Sequence, residues 1–226
     1  MDSQKEKIMN TYTGEKGQEY YDMRADRRSD FLQKRRASHF QPFIKATDIV
    51  LDFGCGTGGV LSNLECQKKI GIEVNEPSAN EAREAGADIF DDIQKIEDNS
   101  IDVVISNHAL EHVLDPAYQI KEINRVLKSG GKSVLVVPAE SPAFYRFSKW
   151  RKNDPDRHVF SWTPLSFGNL ISHCGFNVKD SYRRPIGYSK YIEFLADKNE
   201  HVFQIARRVV AFLLQRYEIV CIAEKA

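Results

Sequence analysis

The segment Val50-Leu51-Asp52-Phe53-Gly54-Cys55-Gly56-Thr57-Gly58-Gly59 constrains the chain more than any other. An apolar, β-prone run ends in alternating glycines, and a helix-compatible stretch follows. Glycine is required where a turn takes dihedrals closed to other residues and where backbone must approach a ligand. The amino end of the following helix favours a negative group such as a carboxylate. A strand feeding such a turn needs further strands to pair with, and the chain supplies them. DIVLDF (48–53), KIGIE (69–73), ADIF (87–90), IDVVIS (101–106) and KSVLVVP (132–138) are short apolar runs, separated by helical stretches near 58–65, 77–85 and 116–128. This alternation predicts βαβ units and an α/β, doubly wound, Rossmann-like sheet, mostly parallel and covered on both faces. The helix at 116–128 puts Ile120, Ile123, Val126 and Leu127 on one face and is expected to stop at Ser129-Gly130-Gly131.

On either side of this region the texture differs. Residues 1–46 are polar and helix-compatible and are expected to form an N-terminal helical cap. Residues 140–163 have no clear period, carry Pro142 and Pro155 with Pro164 just beyond, and read as a long loop or lid. A helix at 164–174, a strand near 176–183, helix over 188–214 and an antiparallel closing strand at 217–225 complete the expected fold. At 226 residues, one domain suffices, with 1–46 as cap, 47–139 as the cofactor-binding half and 140–226 as lid and substrate half.

Composition narrows the setting. No apolar run reaches the roughly 18 residues of a transmembrane helix, and the start MDSQKEKIMN lacks the apolar stretch of a signal peptide. Cys55, Cys66, Cys174 and Cys221 form no CxxC pair, which fits a reducing cytoplasm. The formal net charge is zero but unevenly spread: +3 over 1–46, −8 over 47–139 and +5 over 140–226. An acidic middle between basic flanks suggests two ligands of opposite sign, although scattered surface charge gives the same sums.

Gly54, Gly56 and Gly59 also satisfy G-x-G-x-x-G, a dinucleotide fingerprint. Asp52 discriminates. Its carboxylate, two residues before the first glycine, would repel a pyrophosphate but favours a ligand bearing an ammonium and a sulfonium. Glu73 lies 21 residues on, at the end of the second strand, where an acid can hold a ribose diol.

Asp52-x-Gly54-x-Gly56-x-Gly58 resembles the signature of class I S-adenosylmethionine (SAM)-dependent methyltransferases. Leu110-Glu111-His112-Val113 with Asp115-Pro116, and Leu127-Lys128-Ser129-Gly130-Gly131, are similar to the broad small-molecule group that includes quinone-biosynthesis and sugar-modifying enzymes. The resemblance covers 48–138 well and is loose outside it. It implies cofactor contacts from Asp52, Gly54, Cys55, Gly56, Gly58, Glu73 and Val74. It further implies an acid at Asp91 or Asp92, with Asp92 favoured, for the adenine amino group, the Ile93 backbone for the ring, and contacts from Asn107 and Tyr20.

Several other readings bear on the same residues. His108-x-x-Glu111-His112 spells an inverted zinc-protease motif, but it follows a central parallel strand and no third ligand announces itself, so no metal is expected. Ser106-Asn107-His108-Ala109 departs from the Asn/Asp-Pro-Pro-aromatic motif of enzymes that methylate base amines, so no nucleic-acid partner is expected. Methyl transfer chiefly needs an acceptor held in line. A hydroxyl acceptor also benefits from a base, for which His112 and His158 are the candidates, while His39, His173 and His201 look structural. The apolar stretch 202–214, interrupted by Arg207-Arg208, suits core, a homodimer face or a membrane surface. The function expected is methyl transfer to a small-molecule acceptor, an anionic metabolite or sugar derivative, at oxygen before nitrogen or carbon. A protein or lipid-linked acceptor, or a SAM-binding regulatory protein without catalysis, remain as alternatives.

Overall fold

The computed structural model describes residues 12–23, 28–139, 149–150, 156–186 and 192–226. Seven strands form one sheet: β1 (Ile49–Phe53), β2 (Lys68–Ile72), β3 (Asp88–Phe90), β4 (Ile101–Asn107), β5 (Leu127–Pro138), β6 (Phe176–Pro185) and β7 (Tyr217–Lys225). Their order is β3-β2-β1-β4-β5-β7-β6. β7 alone runs antiparallel, inserted between β5 and β6. The expected mostly parallel sheet with an antiparallel closing strand is therefore found.

Period-two alternation sends side chains to two separate cores. Leu51 and Phe53 join one with Ile70, Ile72 and Leu135, while Val50 joins the other with Val103, Val134 and Val136. Four helices matter for positioning: α1 (Gly14–Met23), α2 (Asp30–Phe40), α3 (Gly59–Ser62) and α4 (Glu76–Glu84). α2, α3 and α4 cover the second core through Ala37, Phe40, Leu61 and Ala82. The first core is covered by α5 (Pro116–Val126) and α6 (Pro164–His173), through Ile120, Ile123, Phe167 and Ile171. Each such aliphatic or aromatic side chain contributes roughly 1.5–3 kcal/mol by leaving water. Side-chain caps start these helices: Asn75 accepts from the Ser78 amide, Asp115 from Tyr118, and Thr163 and Ser166 form a capping box.

Three expected boundaries move. The helix after the glycine loop is one turn, Gly59–Ser62, rather than 58–65. α5 ends at Val126, not at Ser129-Gly130-Gly131. Leu127 is already extended and fully buried, and β5 takes it up opposite Ile101. The serine-glycine-glycine stretch instead lies where the β4–β5 register shifts, with Gly130 at φ +71°. The helical stretch expected over 188–214 divides into α7 (Phe194–Lys198) and α8 (Glu200–Leu214), because Asn199 breaks the backbone and caps α8. α8 buries Phe203, Arg207 and Ala211 and leaves Ile205, Phe212 and Leu213 exposed. Of the lid reading, 140–148 and 151–155 lie outside the described residues. Among the described residues no helix is long and apolar enough to cross a membrane.

Candidate active site

The strand order reverses between β1 and β4, and the crevice beyond the carboxyl ends of these strands is where ligands bind in open α/β sheets. The glycine loop closes one side of it. Gly54 and Cys55 both donate to the Ile72 carbonyl, tying the loop to β2. Gly54 (φ +78°) is pinned by its neighbour, since a Cβ there would fall 2.4 Å from Cβ of Ala109. Gly56 (φ +55°) is the opposite case, as a Cβ on it would meet open space. The loop thus offers bare backbone to that space.

Asp52 lies beneath this cradle, 2% exposed, and its Oδ1 accepts no hydrogen bond. Burial, with the Glu73 carboxylate nearby, pushes its carboxyl group up to about 8. Such a group is completed by a cation. Glu73 accepts from the Gly56 amide (2.8 Å) through Oε2 and from the Asn75 amide (2.8 Å) through Oε1. Burial raises its pKa, against these amides and that of Val74. Each oxygen keeps a second lone pair for a ligand hydroxyl. After β3 the two adjacent acids separate. Asp91 is exposed and pairs with Lys95 at 2.5 Å, whereas Asp92 turns in as the cap of the turn Ile93–Lys95, accepting from the Gln94 amide.

The N-terminal cap reaches the same crevice. Asn75 Nδ2 donates to the carbonyls of Tyr12 (2.8 Å) and Gly17 (2.9 Å), fixing α1 above the end of β2. Tyr20 packs edge-on against Tyr12 and His112, and the Arg157 guanidinium lies over the Tyr20 ring.

On the β4 side, Ser106 Oγ donates to the Phe53 carbonyl at 2.8 Å, locking β4 to β1. Asn107 ends the strand. His108 follows in the left-handed region (φ +59°), so it does not share a helical face with His112, which sits on the short turn Leu110–His112. His108 instead bridges two buried acids: Nε2 meets Glu218 at 3.1 Å, and Nδ1 lies 3.4 Å from Glu111 Oε1, an ion-pair distance. Burial opposes its charge, but the two carboxylates outweigh it and hold His108 up to about 9. Glu218, also bonded to Arg184 at 2.6 Å, is held down to about 2 despite its burial. Glu111 and Glu218 are central here, and sequence reasoning named neither as a site residue. Only the H-x-x-E-H spacing marked Glu111.

His112 and His158, far apart in sequence, come together with ring centroids 5.0 Å apart. Both face Glu111 Oε1, at 3.8 and 3.9 Å. The Glu111 carbonyl accepts from the amides of Val159 and Phe160, which anchors the segment carrying His158. His39 is packed elsewhere and pushed down to about 4, chiefly by burial. Of the basic residues on the flanks, Arg28 stacks on Tyr21 and faces Glu81, while Arg24, Arg27, Arg151 and Lys152 lie outside the described residues.

The family model described as "Methyltransferase domain" matches residues 23–181. The chain is 30% identical over 124 residues to the malonyl-[acyl-carrier protein] O-methyltransferase of Yersinia pestis, covering 52% of this chain and 46% of that protein. It is 33% identical over 112 residues to a ubiquinone biosynthesis O-methyltransferase of Pseudomonas aeruginosa, covering 44% and 48%. The chain thus spans about half or less of the length of the curated relatives it matches. Among solved structures, a SAM-dependent methyltransferase from Archaeoglobus fulgidus superposes with a TM-score of 0.64 at 20% identity, covering 91% of this chain and 99% of that one, a likeness of fold.

Proposed function

The chain belongs to the class I SAM-dependent methyltransferase family, and from that premise we propose that it transfers a methyl group from SAM to an oxygen of a small, anionic acceptor. The observation that carries this reading is Asp52, a buried carboxylate without a hydrogen bond at Oδ1, beneath a glycine cradle open at Gly56. That combination suits a cationic ligand and repels a pyrophosphate. Bound SAM supplies an electrophilic methyl on a sulfonium, so the protein need only bind and orient. Asp52 and the backbone of Gly54, Cys55, Gly56 and Gly58 hold the methionine end. Glu73, with Val74 beside it, takes the ribose. Asp92 takes the adenine amino group, the Ile93 amide meets the ring, and Asp91 stays on the surface. Asn107 and Tyr20 close the crevice. His112 and His158 stand on the acceptor side, and Arg157 over Tyr20 supplies positive charge for an acceptor carboxylate or phosphate.

Titration calorimetry with SAM, S-adenosylhomocysteine and NAD, followed by transfer of labelled methyl to a panel of hydroxylated acids and sugar phosphates, tests the reading. Binding of SAM and not NAD is expected, with label on oxygen. NAD binding without SAM binding overturns it. SAM binding with no transfer to any small or macromolecular acceptor leaves a SAM-binding regulatory protein instead.

A further inference from the structure

Among the described residues, Glu111 is the one side chain with both carboxylate oxygens buried and without a hydrogen bond. It is fully buried. A buried carboxylate with neither oxygen hydrogen-bonded is completed by cationic or ligating groups beside it; His108 Nδ1, 3.4 Å from Oε1, is one of them.

Two imidazoles converge on it from different parts of the chain. Nε2 of His112 lies 3.8 Å and Nε2 of His158 lies 3.9 Å from Glu111 Oε1, and ligand atoms of the three residues all fall within 4.8 Å of one another. These separations are too long for hydrogen bonds. Ligands of one tetrahedral ion at about 2.0–2.1 Å stand roughly 3.3–3.4 Å apart, so the two Glu111 separations need to close by about half an ångström and the third by at most about 1.5 Å. The surroundings have the form of a metal site's support. Tyr12 Oη lies 3.0 Å from His112 Nδ1; when that nitrogen donates to the phenol oxygen, the Nε2 lone pair faces Glu111. The Glu111 carbonyl, accepting from Val159 and Phe160, sets His158 in place.

We propose that Glu111, His112 and His158 bind a divalent cation of the zinc, cobalt and manganese class. Two imidazoles and one carboxylate are a catalytic donor set for such ions, with coordination left over for a further oxygen. His112 and His158 are partly exposed, so the remaining coordination can be reached from solvent. Resting on the reading above, the inference narrows the acceptor to one that presents an ionisable oxygen to the ion. The ion lowers that oxygen's pKa, its proton passes to solvent, and the oxygen's electron pair forms the bond to the methyl carbon. The carbon–sulfur bond breaks with its pair on sulfur. His112 and His158 then serve as ligands rather than as a proton-accepting base.

The full chain, stripped with a chelator, would be titrated with zinc by calorimetry and with cobalt by visible absorption, and separately with S-adenosylhomocysteine. One equivalent of zinc, and a cobalt spectrum of four- or five-coordinate type, are expected. Glu111→Gln and His158→Ala should each weaken zinc binding at least about tenfold, abolish the cobalt bands and leave S-adenosylhomocysteine affinity unchanged. His158→Ala keeps the test sound if the buried Glu111 variant fails to fold. No zinc binding at millimolar concentration, or binding indifferent to both substitutions, overturns the site while S-adenosylhomocysteine binding leaves the methyltransferase reading standing. Zinc binding with no affinity for SAM or S-adenosylhomocysteine does the reverse.

Discussion

The Glu73 carboxylate accepts a 2.8 Å hydrogen bond from the amide of Gly56, joining the end of β2 to the open part of the glycine loop. One side chain therefore shapes the loop and offers its remaining lone pairs to a ligand diol. Hydrogen bonds to a charged group are worth about 1.5–3 kcal/mol. Glu73→Ala should weaken SAM binding at least about tenfold by calorimetry; unchanged affinity in a folded variant removes the ribose assignment.

Asp52 links the same site to pH. Its folded pKa, about 8, lies above the ordinary 3.8, so the folded state holds this proton more tightly than the unfolded one. The resulting stability is complete below about pH 4 and is lost as pH rises through about 8. Asp52→Asn should therefore melt a few degrees above the parent at pH 8, at about 2–4 °C per kcal/mol for a chain of this size. The gap should close as pH falls toward 4, and the variant should bind SAM more weakly. A gap independent of pH contradicts the assignment.

Gly54 and Ala109 are coupled by contact. Gly54→Ala places a methyl 2.4 Å from the Ala109 Cβ at a φ of +78°, a conformation that alone costs roughly 1–2 kcal/mol. Ala109→Gly should relieve the clash but not the dihedral. A double-mutant cycle in chemical denaturation should give a coupling of about 1 kcal/mol. Simple additivity would show that the loop moves away from β4.

His108 should stabilise the fold in a defined pH window. Its folded pKa of about 9 exceeds the ordinary 6.5, so its contribution is complete below about pH 6.5 and is lost as pH rises through about 9. His108→Gln leaves Glu111 and Glu218 without the charge between them. The cost below pH 6.5 is expected on the order of 2 kcal/mol, less than the 3–5 kcal/mol of a fully buried pair because the His108 side chain is 31% exposed. Thermal melts at pH 6 and pH 9.5 measure it, and an equal loss at both points to packing rather than charge.

Arg157 bears on the acceptor. Its guanidinium lies over the ring of Tyr20 in the N-terminal cap. Arg157→Ala should raise the KM for an anionic acceptor roughly tenfold and weaken SAM binding by much less, since on the cofactor side only the ring contact to Tyr20 is lost. Equal effects on neutral and anionic acceptors remove the charge argument.

The sequence by itself determined the sheet and the glycine loop at its edge. Those features are local: a strand of period two, a turn that only glycine can make, and an acid fixed by its distance from that turn, as at Asp52 and Glu73. Helix ends were less legible, because Leu127 is claimed by pairing with Ile101 across the sheet, a contact far away in sequence that overrides the glycine stop signal. Only the tertiary structure decided the rest of the crevice. His158 meets Glu111 because the chain returns after α5 and β5 and donates two amides to the Glu111 carbonyl. His108 leaves its apparent partner His112 because a left-handed backbone turns it toward Glu218, 110 residues on. Charges so distant in sequence have no periodicity to announce them, and low-dielectric burial, which decides their ionisation, exists only once the chain has folded.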